Sequence, residues 1–183
     1  MKKIYILLTK TGTVPARTIH FFKGGDFTHT SLSMTPAVDH FYSYARRNIK
    51  NPFNAGLIVE NIHTEVFAMY PTCHCALYSI EVTDNAYQKM QSEIDLYFEN
   101  YKKAKYNFLG LIPLALGIKI RRKFKLTCSQ FVALILEKSG EIELPKNPYL
   151  MLPTDFLSIS TINLVYDGIL NDCKICETEF INA

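Results

Sequence analysis

Thr127-Cys128-Ser129-Gln130-Phe131-Val132 is the stretch on which the reading of this chain turns. A threonine followed three positions later by glutamine, ahead of an apolar run, is a capping-box pattern. The Thr127 hydroxyl accepts from the Gln130 amide, and the Gln130 side chain reaches back. The pattern predicts a helix over 128–138 that stops at Ser139-Gly140, where glycine suits the left-handed position after a helix end. Cys128 is then its first residue. There its sulfur lies near unpaired backbone N–H groups and the positive end of the helix dipole, which favour the nucleophilic thiolate over the thiol. Five cations between Lys119 and Lys125 precede it, although screening makes a solvated loop the simpler account of that run. Alone, a cysteine at a helix start is a small core residue, since free cysteine is among the most buried types. A neighbouring base would change that.

The chain offers five histidines. Residues 27–34 read as a strand rich in Thr and Ser, with Phe27, His29, Ser31 and Ser33 on one face. Two serines beside His29 leave room for the Cys128 helix to approach that face. His20 falls in a predicted short helix over 15–22, His40 beside a turn, His63 in a loop, and His74 between Cys73 and Cys75. His29 is therefore the candidate base.

Around these two segments the chain reads as one α+β domain over 1–183, without repeat, linker or low-complexity tract. Residues 1–8 are a first strand, because Thr9-Lys10-Thr11 stops the apolar run below the ~7–15 residues of a secretory h-region. Further strands are predicted at 41–45, 56–59, 65–69 and 76–82. A long helix follows Thr83-Asp84, with Tyr87, Met90, Ile94, Tyr97, Phe98 and Tyr101 at helical spacing. Residues 108–118 are almost wholly apolar but fall short of the ~20 needed to cross a bilayer. Broken by Gly110, Pro113 and Gly117, they read as a buried connection. A short helix is predicted from Thr154.

The composition, 48% hydrophobic and 20% charged over 183 residues, is that of a globular chain. A net charge of +3 without a recognition motif gives no reason to expect a nucleic-acid partner. Five cysteines without an export signal predict reduced thiols and a cytoplasmic location. No obligate partner is evident.

The strand Phe27-Thr28-His29-Thr30-Ser31-Leu32-Ser33, followed much later by Thr127-Cys128-Ser129-Gln130-Phe131-Val132, resembles the permuted papain-like amidases. These are the YiiX-like branch of the NlpC-type hydrolases, to which lecithin retinol acyltransferase is related, and they place His before Cys in the chain. The resemblance implies a circularly permuted papain-like fold, an antiparallel sheet or small barrel packed against the helix that carries the nucleophile. It also implies a third, polar catalytic residue on the strand after the His strand. A hairpin around Pro36 sets Ser43 opposite His29 in one register and Tyr44 in the next. Ser43 is the third candidate and Tyr44 its alternative, and neither is the His, Glu or Asp common in such families.

The implied chemistry is acyl transfer. His29 takes the Cys128 proton, the thiolate attacks an amide or ester carbonyl, and a thioester forms. The Cys128 backbone N–H is the first oxyanion donor, supported by Thr127 and Gln130. The substrate is a peptide or acyl amide, and neither cofactor nor metal is required.

Three other readings compete. Cys73-His74-Cys75 and Cys173-Lys174-Ile175-Cys176 could supply zinc ligands, although an isolated C-x-x-C is a weak signal. A lipid-directed acyltransferase or phospholipase on the same fold, with peripheral membrane contact through 108–125, fits the apolar-then-basic order of that segment. A non-catalytic binding module is the third.

Overall fold

The computed structural model describes residues 1–10, 26–36, 40–48, 51, 53–62, 67 and 69–173. Strand β1 (Lys2–Thr9) is buried from Ile4 onward because both of its faces are covered. With side chains alternating along a strand, Ile4, Ile6 and Leu8 join one apolar cluster, and Tyr5 and Leu7 join a second one. The sheet grows on both sides of β1 with β2 (His29–Ser33), β3 (Phe41–Arg46), β4 (Ala55–Glu60) and β5 (His74–Val82). Short β6 (Lys105–Tyr106) and β7 (Lys125–Leu126) and the last strand, β8 (Asn163–Ile169), complete it. The order across the sheet is β7-β6-β4-β3-β2-β1-β5-β8. The expectation of an antiparallel sheet is corrected at one place, since β6 and β7 pair in parallel.

Helix α1 (Asp84–Glu99) starts where predicted, with the Thr83 hydroxyl accepting from the Ala86 N–H, and buries Ala86, Met90, Ile94 and Tyr97. Helix α3 (Cys128–Ser139) carries the full capping box and ends at Gly140, whose φ of 71° is the left-handed value that glycine takes without strain. It packs against α1 and against β2 and β3. The ring of its Phe131 lies 5.2 Å from that of Tyr44 and 5.3 Å from that of Tyr97. The first cluster thus lies between these helices and one sheet face. The second, with Phe41, Cys73, Cys75, Leu77, Leu170 and Cys173, covers the other face.

The segment predicted as a buried connection is only half buried. Helix α2 (Leu111–Ala115) turns Leu111, Leu114 and Ala115 inward, while Leu109, Ile112, Leu116 and Ile118 are exposed. A single short helix has two sides, and only one of these meets the core. The helix expected from Thr154 is a 3-10 turn, Pro153–Ser158, with the Asp155 carboxylate accepting from the Leu152 N–H at 2.6 Å. Strands β6 and β7 are too short to show a period, and β8 lies at the sheet edge with no fully buried residue. The predicted helix over 15–22 with His20, the loop residue His63 and most of the strand at 65–69 lie outside the described residues. Among the described residues, no helix is long and apolar enough to cross a membrane.

Candidate active site

Cys128 is the first residue of α3, and its place is set from both sides. Upstream, β7 pairs with β6 so that Leu126 lies beside Tyr106, and the Asn107 N–H donates to the Leu126 carbonyl at 3.0 Å. Downstream, the Ser129 hydroxyl donates to the Met151 carbonyl at 2.6 Å, and the Gln130 amide donates to the Tyr149 carbonyl at 2.8 Å. Thr127 and Gln130 close the helix start between themselves, the Thr127 N–H donating to Gln130 Oε1 at 3.1 Å. The sulfur meets the His29 side chain and the backbone of Thr30 and Ser129, and the Tyr106 hydroxyl also reaches it.

His29 is the first residue of β2. The helix does not approach the face carrying His29, Ser31 and Ser33, as the two serines suggested. Thr30 and Leu32 pair with Leu8 and Ile6 of β1, residues of the helix-covered cluster, so α3 lies on that side and the sulfur meets the imidazole at the start of the strand. The Nε2 atom of His29 lies 3.0 Å from each carboxylate oxygen of Glu60, leaving Nδ1 for the sulfur. Glu60 ends β4, two strands away from β2. The registers Leu32↔Tyr42 and Phe41↔Glu60 put His29 and Glu60 on one sheet face. On the intervening β3 that face carries Phe41, directly opposite Glu60, and the smaller Ser43 and Ala45.

Neither Ser43 nor Tyr44 partners the imidazole. The bridge between β2 and β3 pairs Leu32 with Tyr42, three residues along from His29. The Ser43 hydroxyl donates to the Thr30 carbonyl at 2.8 Å. Tyr44 points to the other face, where it packs between Phe131 and Tyr97. The side chain that holds the ring is Glu60.

The electrostatics of this group depart from burial alone. Burial would push the imidazole down, but the Glu60 carboxylate and the Cys128 sulfur outweigh it and hold His29 well above the ordinary histidine value. Burial would likewise raise the Cys128 thiol, yet the hydrogen bond and charge of His29, with the Thr30 and Ser129 backbone, bring it below the ordinary thiol value. Both shifts favour a thiolate–imidazolium pair. Burial and the adjacent sulfur push the Tyr106 hydroxyl well above its usual value, so it stays protonated and donates. The site is closed to solvent: Cys128 is 1% and His29 9% exposed.

The other histidines stand apart. His40 is exposed, and His74 Nε2 lies 2.8 Å from an Asp167 carboxylate oxygen. Cys73, Cys75 and Cys173 gather in the second apolar cluster, on the sheet face that His29 shares but away from the Cys128 helix, while Cys176 lies outside the described residues. Among the described residues, no group of three or more Cys, His, Asp or Glu could hold a metal ion. Glu60 and Tyr106 were not singled out by the sequence reading. An acid directly after an apolar strand is a usable signal for Glu60; Tyr106, in Lys105-Tyr106-Asn107, has no pattern to mark it. No family model and no curated protein matches the chain.

Proposed function

We propose that the protein is a cysteine hydrolase of the permuted papain-like kind, acting on an amide or ester through a thioester on Cys128. The observation that carries this reading is the relay Cys128, His29, Glu60: a thiol at a helix start, in contact with an imidazole whose other nitrogen is held by a buried carboxylate. Nucleophile, base and orienting group is the arrangement that nucleophilic catalysis requires. The order of His before Cys, with the helix packed on an α+β sheet, supports the permuted fold.

In this mechanism the Cys128 thiolate attacks the carbonyl carbon, and the new C–S bond places a negative charge on the carbonyl oxygen. The Cys128 N–H and the Tyr106 hydroxyl are the two donors for that charge. The C–N or C–O bond then breaks, and His29 gives its proton to the leaving amine or alkoxide. Water attacks the thioester with His29 as base, the C–S bond breaks, and the thiolate and imidazolium are restored. Glu60 holds the ring by one nitrogen throughout, so the other stays directed at the sulfur.

Whole-protein mass spectrometry after incubation with activated amide and ester probes tests the reading. A single acyl adduct mapped to Cys128 and absent from Cys128→Ser is expected. Adducts spread over the other cysteines, or none in a folded protein, would reject it.

A further inference from the structure

Between Asn100 and Leu136 the chain has no Asp or Glu, yet it has eight Lys and Arg between Lys102 and Lys125. The rest of the chain then holds 12 cations against 17 acids, a balance of 12 − 17 = −5, beside +8 in this segment. The modest overall charge therefore hides a strong asymmetry. All eight of these cations are exposed. Lys103, Arg122, Lys123 and Lys125, with Phe124 among them, line an open basin of about 480 Å³.

The same segment exposes apolar side chains where a surface helix normally carries polar ones. Leu109 of the 3-10 turn Phe108–Gly110, Ile112 of α2 and Leu116 just after it recur at helical spacing on the outward side, Leu109 being 82% exposed, and Ile118 continues the patch. Phe53, 81% exposed, stands with its ring 6.1 Å from that of Phe108. Ile118 is followed directly by Lys119, so the apolar patch and the cationic run are continuous along the chain.

We propose that residues 108–125 dock this protein onto an anionic lipid bilayer. Leu109, Ile112, Leu116 and Ile118 enter the boundary between headgroups and acyl chains, and the flanking cations meet the lipid phosphates and carboxylates. A soluble polyanion would satisfy the cations but leave five large apolar side chains in water, whereas an anionic bilayer satisfies both. Tyr106 and Cys128 stand at the two ends of the segment, so docking sets the candidate site beside the membrane. The docking itself does not require the thiol.

Sedimentation with phosphatidylcholine vesicles, with and without phosphatidylserine, tests this. The native chain should pellet with the phosphatidylserine vesicles only, and added salt should release it, since the attraction fades beyond a Debye length of about 8 Å at physiological ionic strength. The pair Ile112→Ser and Leu116→Ser should weaken binding about tenfold or more with little change in the melting midpoint, because both side chains are more than half exposed. The pair Arg121→Glu and Lys123→Glu should abolish it. Cys128→Ser should bind as the native chain does, which separates docking from hydrolysis. A native chain that stays in the supernatant with both vesicles would overturn the proposal. So would a double serine variant binding within about twofold of native, which would make the face a site for soluble polyanions.

Discussion

Cys128 and the group Cys73, Cys75 and Cys173 are all buried free thiols, and the titration of Cys128 is pushed in the opposite direction from that of Cys73 and Cys75. Cys75 lies within β5, paired on one side with Thr9 and on the other with Gly168, so the backbone around it is committed to the sheet. Burial and the neighbouring sulfurs of Cys173 and Cys73 push its thiol far up. Burial also raises Cys73, against a weaker opposing contact with the Lys10 backbone. Cys128 is no less buried, but it starts a helix and faces an imidazole held by a carboxylate, and its thiol is brought down. Burial by itself makes a cysteine inert. A helix start and a cationic partner reverse this.

The contrast breaks most completely in His29→Ala. Loss of the imidazole should reduce hydrolysis of an amide probe by about 10³-fold or more. Alkylation of Cys128 by iodoacetamide at about pH 6, where an ordinary thiol is roughly 0.3% ionised, should then slow to the rate of the other cysteines. Native Cys128 reacting no faster than Cys73 in peptide mapping would remove the distinction altogether.

Tyr106→Phe keeps the ring and deletes one donor. Steady-state kinetics should show a fall in kcat of roughly 10²- to 10³-fold with an unchanged circular dichroism spectrum. A full rate in this variant would mean that its hydroxyl does not serve the oxyanion.

Glu60→Gln sharpens the comparison through pH. Against burial, Glu60 is the largest of the contacts that raise the His29 value, with Cys128 the other, so its neutralisation should lower that value. The alkaline limb of the rate profile should move to lower pH, with about a tenfold loss near pH 8. The acid limb follows the Cys128 thiolate, which forms below its ordinary value in the native protein. Stability has a definite sign as well. A group whose folded value is raised stabilises fully below its unfolded value, near 6.5 for histidine, and that contribution is lost as pH rises through the folded value. The lowered Cys128 value adds stability as pH rises toward the ordinary thiol value of about 8.5 and offsets this loss. Native thermal melts should therefore decline only above about pH 8.5, and the variant should decline at lower pH. Identical profiles in the two proteins would detach Glu60 from the imidazole.

The smallest effect is expected at Ser43→Ala. It removes one hydrogen bond to the Thr30 carbonyl, costing about 1 kcal/mol in a denaturant melt, and should leave the pH–rate profile in place. A displaced alkaline limb would instead give Ser43 a part in orienting the ring.

The elements legible in the sequence are those whose signals are local. The capping box at Thr127 and Gln130, the glycine stop at Gly140 and the apolar stripe of α1 depend on residues within a few positions of one another, and each occurs as read except at Tyr101, which lies past the end of α1 and is exposed. Strands β1 to β5 stood out for a similar reason, being runs long enough to show β-rich or apolar character. Strands β6 and β7 could not, because two residues have no period. Cys128 and His29 were readable as candidates, since a helix start and a serine-lined strand face are local features.

Their meeting, and the third member, belong to the tertiary structure. Register is the physical reason. A shift of one residue between β2 and β3 exchanges faces, and only the observed Leu32↔Tyr42 pairing removes Ser43 and Tyr44 from the imidazole. Glu60 reaches His29 from 31 positions along the chain and across an intervening strand, and Tyr106 reaches Cys128 through a parallel pair of two-residue strands. By itself, then, the sequence determined which residue types stood at a helix start and on a strand face. Sheet order and register, which arise from packing both faces of the sheet at once, decided which of them touch.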